Sequence, residues 1–424
     1  LLLLCENIST MTRLAFYLFT AFFFCIVQFS CSGDDELLID PDLSERNCEI
    51  DMPSVIEGDN GFSFSLFKAL EGFSTDEENL FISPLSASFA LGMTYNGAAS
   101  DTKTEIQSAL GWLGLEDDVI NGGHSCLIDY LEELDEQVIL QIANSIWYRE
   151  GFDVLQDFLD TNALYYDGEI VEADFSDPAT LDAINDWCAE KTNDKILEVL
   201  DQIPGGAVMY LINAIYFKGD WKFEFDPEET EEKSFYGLDG SSSTVQMMKQ
   251  QAEFNYLEGD NFQVIDLPYG DEKYTMTVFL PNVQEFENFQ DDFTYANYKQ
   301  WTAAMEEQEL VLDLPRFKVE YKTLLNDPLK ELGMNRAFGT DADLSNLVEG
   351  GGPYISRVIH QTFLEVNEAG SEAAAVTVVE IIETTSINGN GPTHFSVNRP
   401  FYLVIREVEN NSILFVGKVM QPES

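Results

Sequence analysis

The run Val366-Asn-Glu-Ala-Gly-Ser-Glu-Ala-Ala-Ala-Val-Thr-Val-Val-Glu-Ile-Ile-Glu-Thr-Thr385 is the most informative stretch of the 424-residue chain. Read with a strand period, Ser371, Ala373, Ala375, Thr377, Val379 and Ile381 share one face, all uncharged and small at the start. Glu372 and Glu380 fall on the other face. Such a segment can enter a sheet with its small face on a packed core and its charges in water. Gly370 at its base supplies backbone freedom for a hinge. An exposed, apolar, β-prone run is normally an aggregation hazard. Taken alone, an ordinary half-buried strand explains the same alternation.

Outward from this run, composition narrows the classes. With 45% hydrophobic and 12% aromatic residues the chain can bury a sizeable core, which excludes disorder. The 76 acidic residues against 22 basic ones leave a net charge of −54. A surface this negative repels phosphate backbones, so nucleic acids and anionic membranes are excluded as partners. The acids spread along the whole chain, a pattern resembling proteins of salty habitats, where screening relieves self-repulsion. Ordinary surface solvation taken to excess gives the same count.

The N-terminal region reads as a leader. Ten residues precede Met11, and from Met11 one basic residue, Arg13, leads an apolar run to Ser30. That run is signal-peptide length rather than a comfortable membrane span. It ends at Ser30-Cys31 and an acidic stretch, resembling a bacterial lipoprotein signal with Cys31 as the lipidated residue. Gln28 and Phe29 are unusual just upstream, and plain secretion or an uncleaved anchor remain open. All three place the body outside the cytoplasm. The expected organisation is a leader over 1–31, an acidic disordered tether over 32–55 and a single domain over 56–424. Cys48, Cys126 and Cys188 are widely spaced and odd in number, so one bridge or free buried thiols are both open.

Within the body, helical spacing begins near Gly61, and Leu85–Tyr95 reads as a buried helix. Thr102-Lys-Thr-Glu105 matches a capping box opening a third helix. Val138–Tyr148 reads as strand, and Phe152–Tyr165 and Pro178–Thr192 as helices. Strands follow at Val208–Phe217, Val264–Leu267, Tyr274–Leu280, Leu310–Val319, Phe395–Arg406 and Ile413–Val419. Helices first and strands later, without steady alternation, predict an α+β fold. Enzyme motifs are missing. Histidine occurs only at 124, 360 and 394, so no HExxH or His-rich metal site exists, and no cofactor or metal is called for. His124 reads as a loop histidine. No GxSxG elbow, Walker loop or strand-borne GxGxxG is present, so the expectation is a protein that is not an enzyme.

Five motifs in order give a resemblance. Asn79-Leu-Phe-Ile-Ser-Pro-Leu-Ser86 with Asn96-Gly-Ala is similar to the second-helix signature of the serpins. Leu211-Ile-Asn-Ala-Ile-Tyr-Phe-Lys-Gly-Asp-Trp221 resembles their central-sheet strand and the turn after it. Val358-Ile-His-Gln-Thr-Phe-Leu-Glu-Val-Asn-Glu-Ala-Gly370 resembles the strand leading into the reactive loop, and Asn398-Arg-Pro-Phe-Tyr and Ile413-Leu-Phe-Val-Gly-Lys-Val the closing strands. The resemblance runs from about residue 60 to 422. It implies a large central sheet, two smaller sheets, eight or nine helices and an exposed reactive loop. It also implies suicide inhibition of serine, or alternatively cysteine, endopeptidases. The protease cleaves the loop, which inserts into the sheet before the acyl-enzyme hydrolyses. A non-inhibitory binding or chaperone-like member is the alternative.

Carried over by motif, the hinge comprises Glu368, Gly370, Ser371, Glu372, Ala373, Ala374, Ala375, Val376 and Thr377. Val376 replaces a usually small residue, but with the odd-numbered face inward it points outward. Ser83, Ser86, Asn213 and His360 match the polar cluster where the sheet parts. Arg316 matches the ion-pair partner of Glu368 at the loop's entry point, and Trp221 the aromatic beside it. The family's spacing puts the scissile bond at Thr384–Thr385, with Ile382 or Glu383 as alternates. No Lys or Arg lies between Gly370 and His394, so strict trypsin-like targets are disfavoured. Elastase-like or subtilisin-like proteases are favoured, with glutamyl-specific or cysteine proteases as further options. The expected protein is a monomer at the cell surface or outside the cell, touching the bacterial outer membrane only through a lipid on Cys31.

Overall fold

The computed structural model describes residues 47–75, 77–350, 352–371 and 393–423. Cys31, Glu372, Ala373, Ala374, Ala375, Val376, Thr377 and the bond candidates Ile382, Glu383, Thr384 and Thr385 lie outside the described residues. The described part holds nine α-helices and two sheets.

A six-stranded sheet positions Gly370 and Ser371 of the expected hinge. Its order across is Phe317–Leu324, Ile359–Val366, Gly370–Ser371, Met209–Asp220, Val138–Arg149 and Gly168–Ala173. Neighbours are antiparallel except for Val138–Arg149 with Gly168–Ala173, which are parallel. Alternation along Met209–Asp220 sorts its side chains by face. Leu211, Ile215 and Phe217 join the main core, whereas Ile212 and Ala214 join a smaller one with Trp147, Phe175, Ile184, Trp187 and Cys188. The smaller core seats the helix Pro178–Lys191 on the sheet. On the main-core side lies Pro84–Gly97, a helix buried nearly all round. Pro84 at its first turn and Ser83 as its N-cap, accepting from the Ser86 N–H at 3.2 Å, start it cleanly.

The other strands, expected in two smaller sheets, are joined into one nine-stranded sheet. The link is Ser242–Glu258, long enough to pair Glu231–Tyr236, Glu306–Pro315 and Phe262–Tyr269 in succession. Ile413–Val419 forms over the range read from the sequence. Leu310–Val319 instead breaks into Glu306–Pro315 and Phe317–Leu324, so that Arg316 stands between strands of two different sheets. Phe395–Arg406 breaks likewise into Thr393–Ser396 and Phe401–Glu407, with Pro400 between them.

Three further local expectations are corrected. Thr102 does not cap its helix, which starts at Ser100 after Ala99. Its hydroxyl accepts from the Asp343 N–H, and Glu105 accepts from the Asn335 and Arg336 N–H groups. The helix read from Phe152 begins at Gln156, because Val154 bridges to Val348. His124 is not on a loop. It lies in Asp117–Glu132, fully buried, 3.1 Å from Asp59 Oδ2 and 3.0 Å from the Tyr166 hydroxyl.

The N-terminal boundary also moves. Residues 48–55, read as the end of a tether, form the first turns of Cys48–Phe73. A disulfide joins Cys48 to Cys126, across Cα atoms 5.5 Å apart, and ties this helix to Asp117–Glu132. The two helices meet at Gly123, where an added Cβ would lie 2.7 Å from the Asp51 carbonyl oxygen. Cys188 stays free, and burial pushes its thiol up to about 12. The bridge closes a loop with a sequence separation of 78. The double variant Cys48→Ser/Cys126→Ser should therefore lose about 2–4 kcal/mol of unfolding free energy. A denaturant titration in which variant and parent coincide would contradict this.

Candidate functional site

Ile359–Val366 and Met209–Asp220 lie either side of the two-residue strand Gly370–Ser371. Val366 pairs with Ser371, and Ser371 with Gly219. Below that point the facing edges of residues 359–365 and 209–218 pair with no described strand, and not with each other. Gly370 sits so close to its neighbour that an added Cβ would lie 2.1 Å from the Gly219 carbonyl oxygen. Only glycine fits there.

Residues 367–371 are bound firmly at the top of this split. The Trp221 N–H donates to the Ala369 carbonyl at 2.8 Å, and the Phe225 N–H to the Glu368 carbonyl at 2.9 Å. Trp221 Nε1 donates to the Asn367 carbonyl at 3.0 Å. The Glu368 carboxylate is buried, with Arg316 Nε 2.7 and 2.6 Å from its two oxygens and the Thr230 hydroxyl donating at 2.5 Å. A charge-assisted pair with this many donors satisfies a carboxylate that burial would otherwise penalise. Ser371 is fully buried, its hydroxyl 2.6 Å from that of Tyr269. Burial raises the pKa of Tyr269, so its hydroxyl keeps its proton. Its ring stacks on Trp221 with centroids 4.4 Å apart.

Lower down, His360 Nε2 accepts from the Ser83 N–H at 3.0 Å, and the Ser83 hydroxyl donates to the Leu414 carbonyl at 2.8 Å. Ser83, Ser86 and His360 thus form one connected group, tying strand, helix and second sheet together. Asn213 is not bonded to them. Its Nδ2 donates to Asn144 Oδ1 at 2.8 Å, and Asn144 donates to the Tyr166 carbonyl at 2.7 Å. Ser86, Asn213 and His360 do line one common cavity of about 570 Å³ between the strands. Reading the sequence missed Asn144, Asn367, Thr230 and Tyr269. Asn144 left a usable signal as a polar residue within an apolar strand run, whereas Thr230 and Tyr269 reach the hinge only through tertiary packing. Among the described residues no group of three or more His, Cys, Asp or Glu side chains is arranged to hold a metal ion.

The family model described as "Serpin (serine protease inhibitor)" matches residues 57–422. A serpin-like protein of Methanosarcina acetivorans is 34% identical, covering 97% of this chain and 98% of its own. Among solved structures, the native state of the thermophilic serpin tengpin superposes with a TM-score of 0.77 at 34% identity, covering 86% of this chain and 94% of its own. Thyroxine-binding globulin in complex with thyroxine gives 0.78 at 29% identity, covering 88% and 100%. The chain belongs to the serpin family. Members are mostly protease inhibitors rather than catalysts.

Burial lowers the pKa of His360 from 6.5 to about 4. The unfolded chain then binds a proton between these values that the folded one refuses, so this group's contribution is full above pH 6.5 and falls as pH drops towards 4. His360→Gln should flatten that part of the stability curve and run parallel to the parent above it. Thermal melts between pH 4 and 8 that stay parallel throughout would contradict the assignment.

Proposed function

We propose that this serpin inhibits serine endopeptidases outside the cytoplasm by cleavage and insertion of its reactive loop. One observation carries the reading: two buried strands of the central sheet, joined only through Ser371 among the described strands, with a cavity between their lower halves. A strand added there gains main-chain hydrogen bonds on both sides. From Ser371 to Thr384 an extended chain reaches roughly 40 Å, the span of a twelve-residue strand such as Met209–Asp220. The sequence alternation that puts Ser371, Ala373 and Ala375 on one face suits that path.

The chemistry belongs to the protease. Its serine hydroxyl attacks the carbonyl carbon of Thr384, the amine of Thr385 leaves, and an ester joins the two proteins. Insertion antiparallel to both neighbours then carries that ester from the hinge end towards Met209 and Ile359. Targets of elastase-like or subtilisin-like preference fit Thr384 and Ile382, a glutamyl-specific protease fits Glu383, and a cysteine protease fits Ile381 or Ile382. The Cys48–Cys126 bridge supports an oxidising compartment. Lipid attachment at Cys31, an outer-membrane location and a monomeric state complete the proposal.

The test incubates residues 32–424 with elastase-like, subtilisin-like, glutamyl-specific and papain-like proteases. The expected result is a covalent band at the summed mass and release of a peptide starting at or near Thr385. Ser371→Arg, which places a charge at a buried position, should be cleaved without that band. Cleavage of the parent within residues 379–390 with the protease left active would instead identify a non-inhibitory member.

A further inference from the structure

Strand pairing fixes where each residue of an inserted loop would come to rest. Ser371 pairs with Gly219 on one side and with Val366 on the other, antiparallel to both. Continuing these two registers residue by residue places Glu380 opposite Tyr210 on one strand and opposite Arg357 on the other. Glu380 alternates with the face of Ser371, Ala373 and Ala375, so its side chain turns to the side of the sheet that carries the smaller core. Tyr210 is on that side, packed in the smaller core with Ile212 and Ala214. Arg357 is on it too. Ile359, two residues further along, packs in the same core, and the Arg357 guanidinium bonds Asp201 and Gln202 of the segment that follows the helix Pro178–Lys191.

Two donors thus converge at one level of the gap. The Tyr210 hydroxyl is shut off from solvent and has no hydrogen-bond partner. Burial raises its pKa, so it keeps its proton, and Arg357 beside it is itself only a donor. Arg357 is loosely held. Its bonds to Asp201 Oδ1 and the Gln202 carbonyl are 3.4 and 3.3 Å long, beyond the usual range of about 2.7–3.2 Å. The Asp201 side chain is exposed, so water screens its pairing with Arg357. A carboxylate arriving between the two strands meets one charged and one neutral donor, and supplies the acceptor that the Tyr210 hydroxyl lacks.

We propose that Arg357 and Tyr210 form a receiving site for the Glu380 carboxylate of the inserted loop. Arg357 exchanges Asp201 for Glu380 as the strand seats, and the contact fixes how far the strand runs in. A slip of two residues would bring Val378 or Ile382 to the two donors and leave the Tyr210 hydroxyl unpaired. The proposal rests on the loop-insertion reading above.

The test compares guanidinium unfolding of the intact protein with that of protein cut once between residues 382 and 390. The cut is made by whichever protease of the panel above turns the chain over, and intact mass locates it. Parent, Glu380→Gln, Arg357→Gln, Tyr210→Phe and the double variant Arg357→Gln/Glu380→Gln are each measured in both forms. In the intact protein Glu380→Gln should leave the midpoint where it is. Tyr210→Phe should leave it unchanged or raise it, because the hydroxyl removed has no partner there. In the cut protein both should lower the midpoint, and Glu380→Gln should lower it less when Arg357 is already Gln. A purely structural tyrosine would shift both forms alike. A Glu380→Gln shift in the cut protein that is equal with and without Arg357 overturns the receiving site, and a cut protein indifferent to Tyr210→Phe overturns the part given to Tyr210. A parent that gains no stability on cutting overturns the insertion reading and the receiving site together. A parent that gains stability while the variants add independently overturns the receiving site alone.

Discussion

Ser371 is the one described residue at which two buried strands of the central sheet are held together, and the remainder of the molecule is arranged around that join. A buried strand edge carries peptide groups that need partners. Ile359–Val366 and Met209–Asp220 each satisfy one edge, against Phe317–Leu324 and Val138–Arg149. The other edges meet only through Ser371 among the described strands. On the proposed mechanism, the fate of a cut loop depends on how firmly residues 367–371 are seated and how easily the strands below can take a third.

The seating is strong and locally over-determined. Arg316 and Thr230 converge on the Glu368 carboxylate, Trp221 and Phe225 hold the backbone on either side of it, and Tyr269 closes over Ser371. On the proposed mechanism, a fixed pivot of this kind would lower the entropy lost when the following residues add to the sheet, which is the benefit of preorganisation. The lower end is built differently. His360 is kept neutral by burial and bonded to Ser83, whereas Asn213 belongs to a separate chain running through Asn144 to Tyr166. The two strands are thus braced on opposite sides by independent groups, and they can separate without either group breaking. Rigidity elsewhere comes from buried ion pairs: Arg406–Asp266 at 2.8 Å within the nine-stranded sheet, and Lys418–Glu71 at 3.3 Å, which ties that sheet to the helix Cys48–Phe73.

Much of this was legible in the sequence where a single periodicity governs. Ile413–Val419 and Pro178–Lys191 follow directly from apolar pattern and caps. The Arg316–Glu368 pair was reachable only through the family resemblance, whose loop-entry ion pair these two residues match. Legibility fails where a chain changes partners within an apolar run. Arg316 splits Leu310–Val319 because the strand passes from one sheet to the other there, and no local propensity records that crossing. Thr102 and Glu105 look like a capping box, yet they serve backbone groups more than two hundred residues away. Three scattered cysteines do not declare their pairing, and His124 gives no sign of its buried partners Asp59 and Tyr166, which arrive from two other helices. The independence of Asn213 from the Ser83 group is of the same kind, since it depends on which side of a strand an amide turns.

On the proposed mechanism the cleaved loop becomes a strand of the six-stranded sheet. The most direct measurement of this is the thermal transition of the purified protein before and after a single cut between residues 379 and 390, followed by circular dichroism. An added central strand brings new hydrogen bonds on both edges and buries its small face, so the cut protein should melt well above the intact one. A cut protein that melts at or below the intact temperature would contradict it.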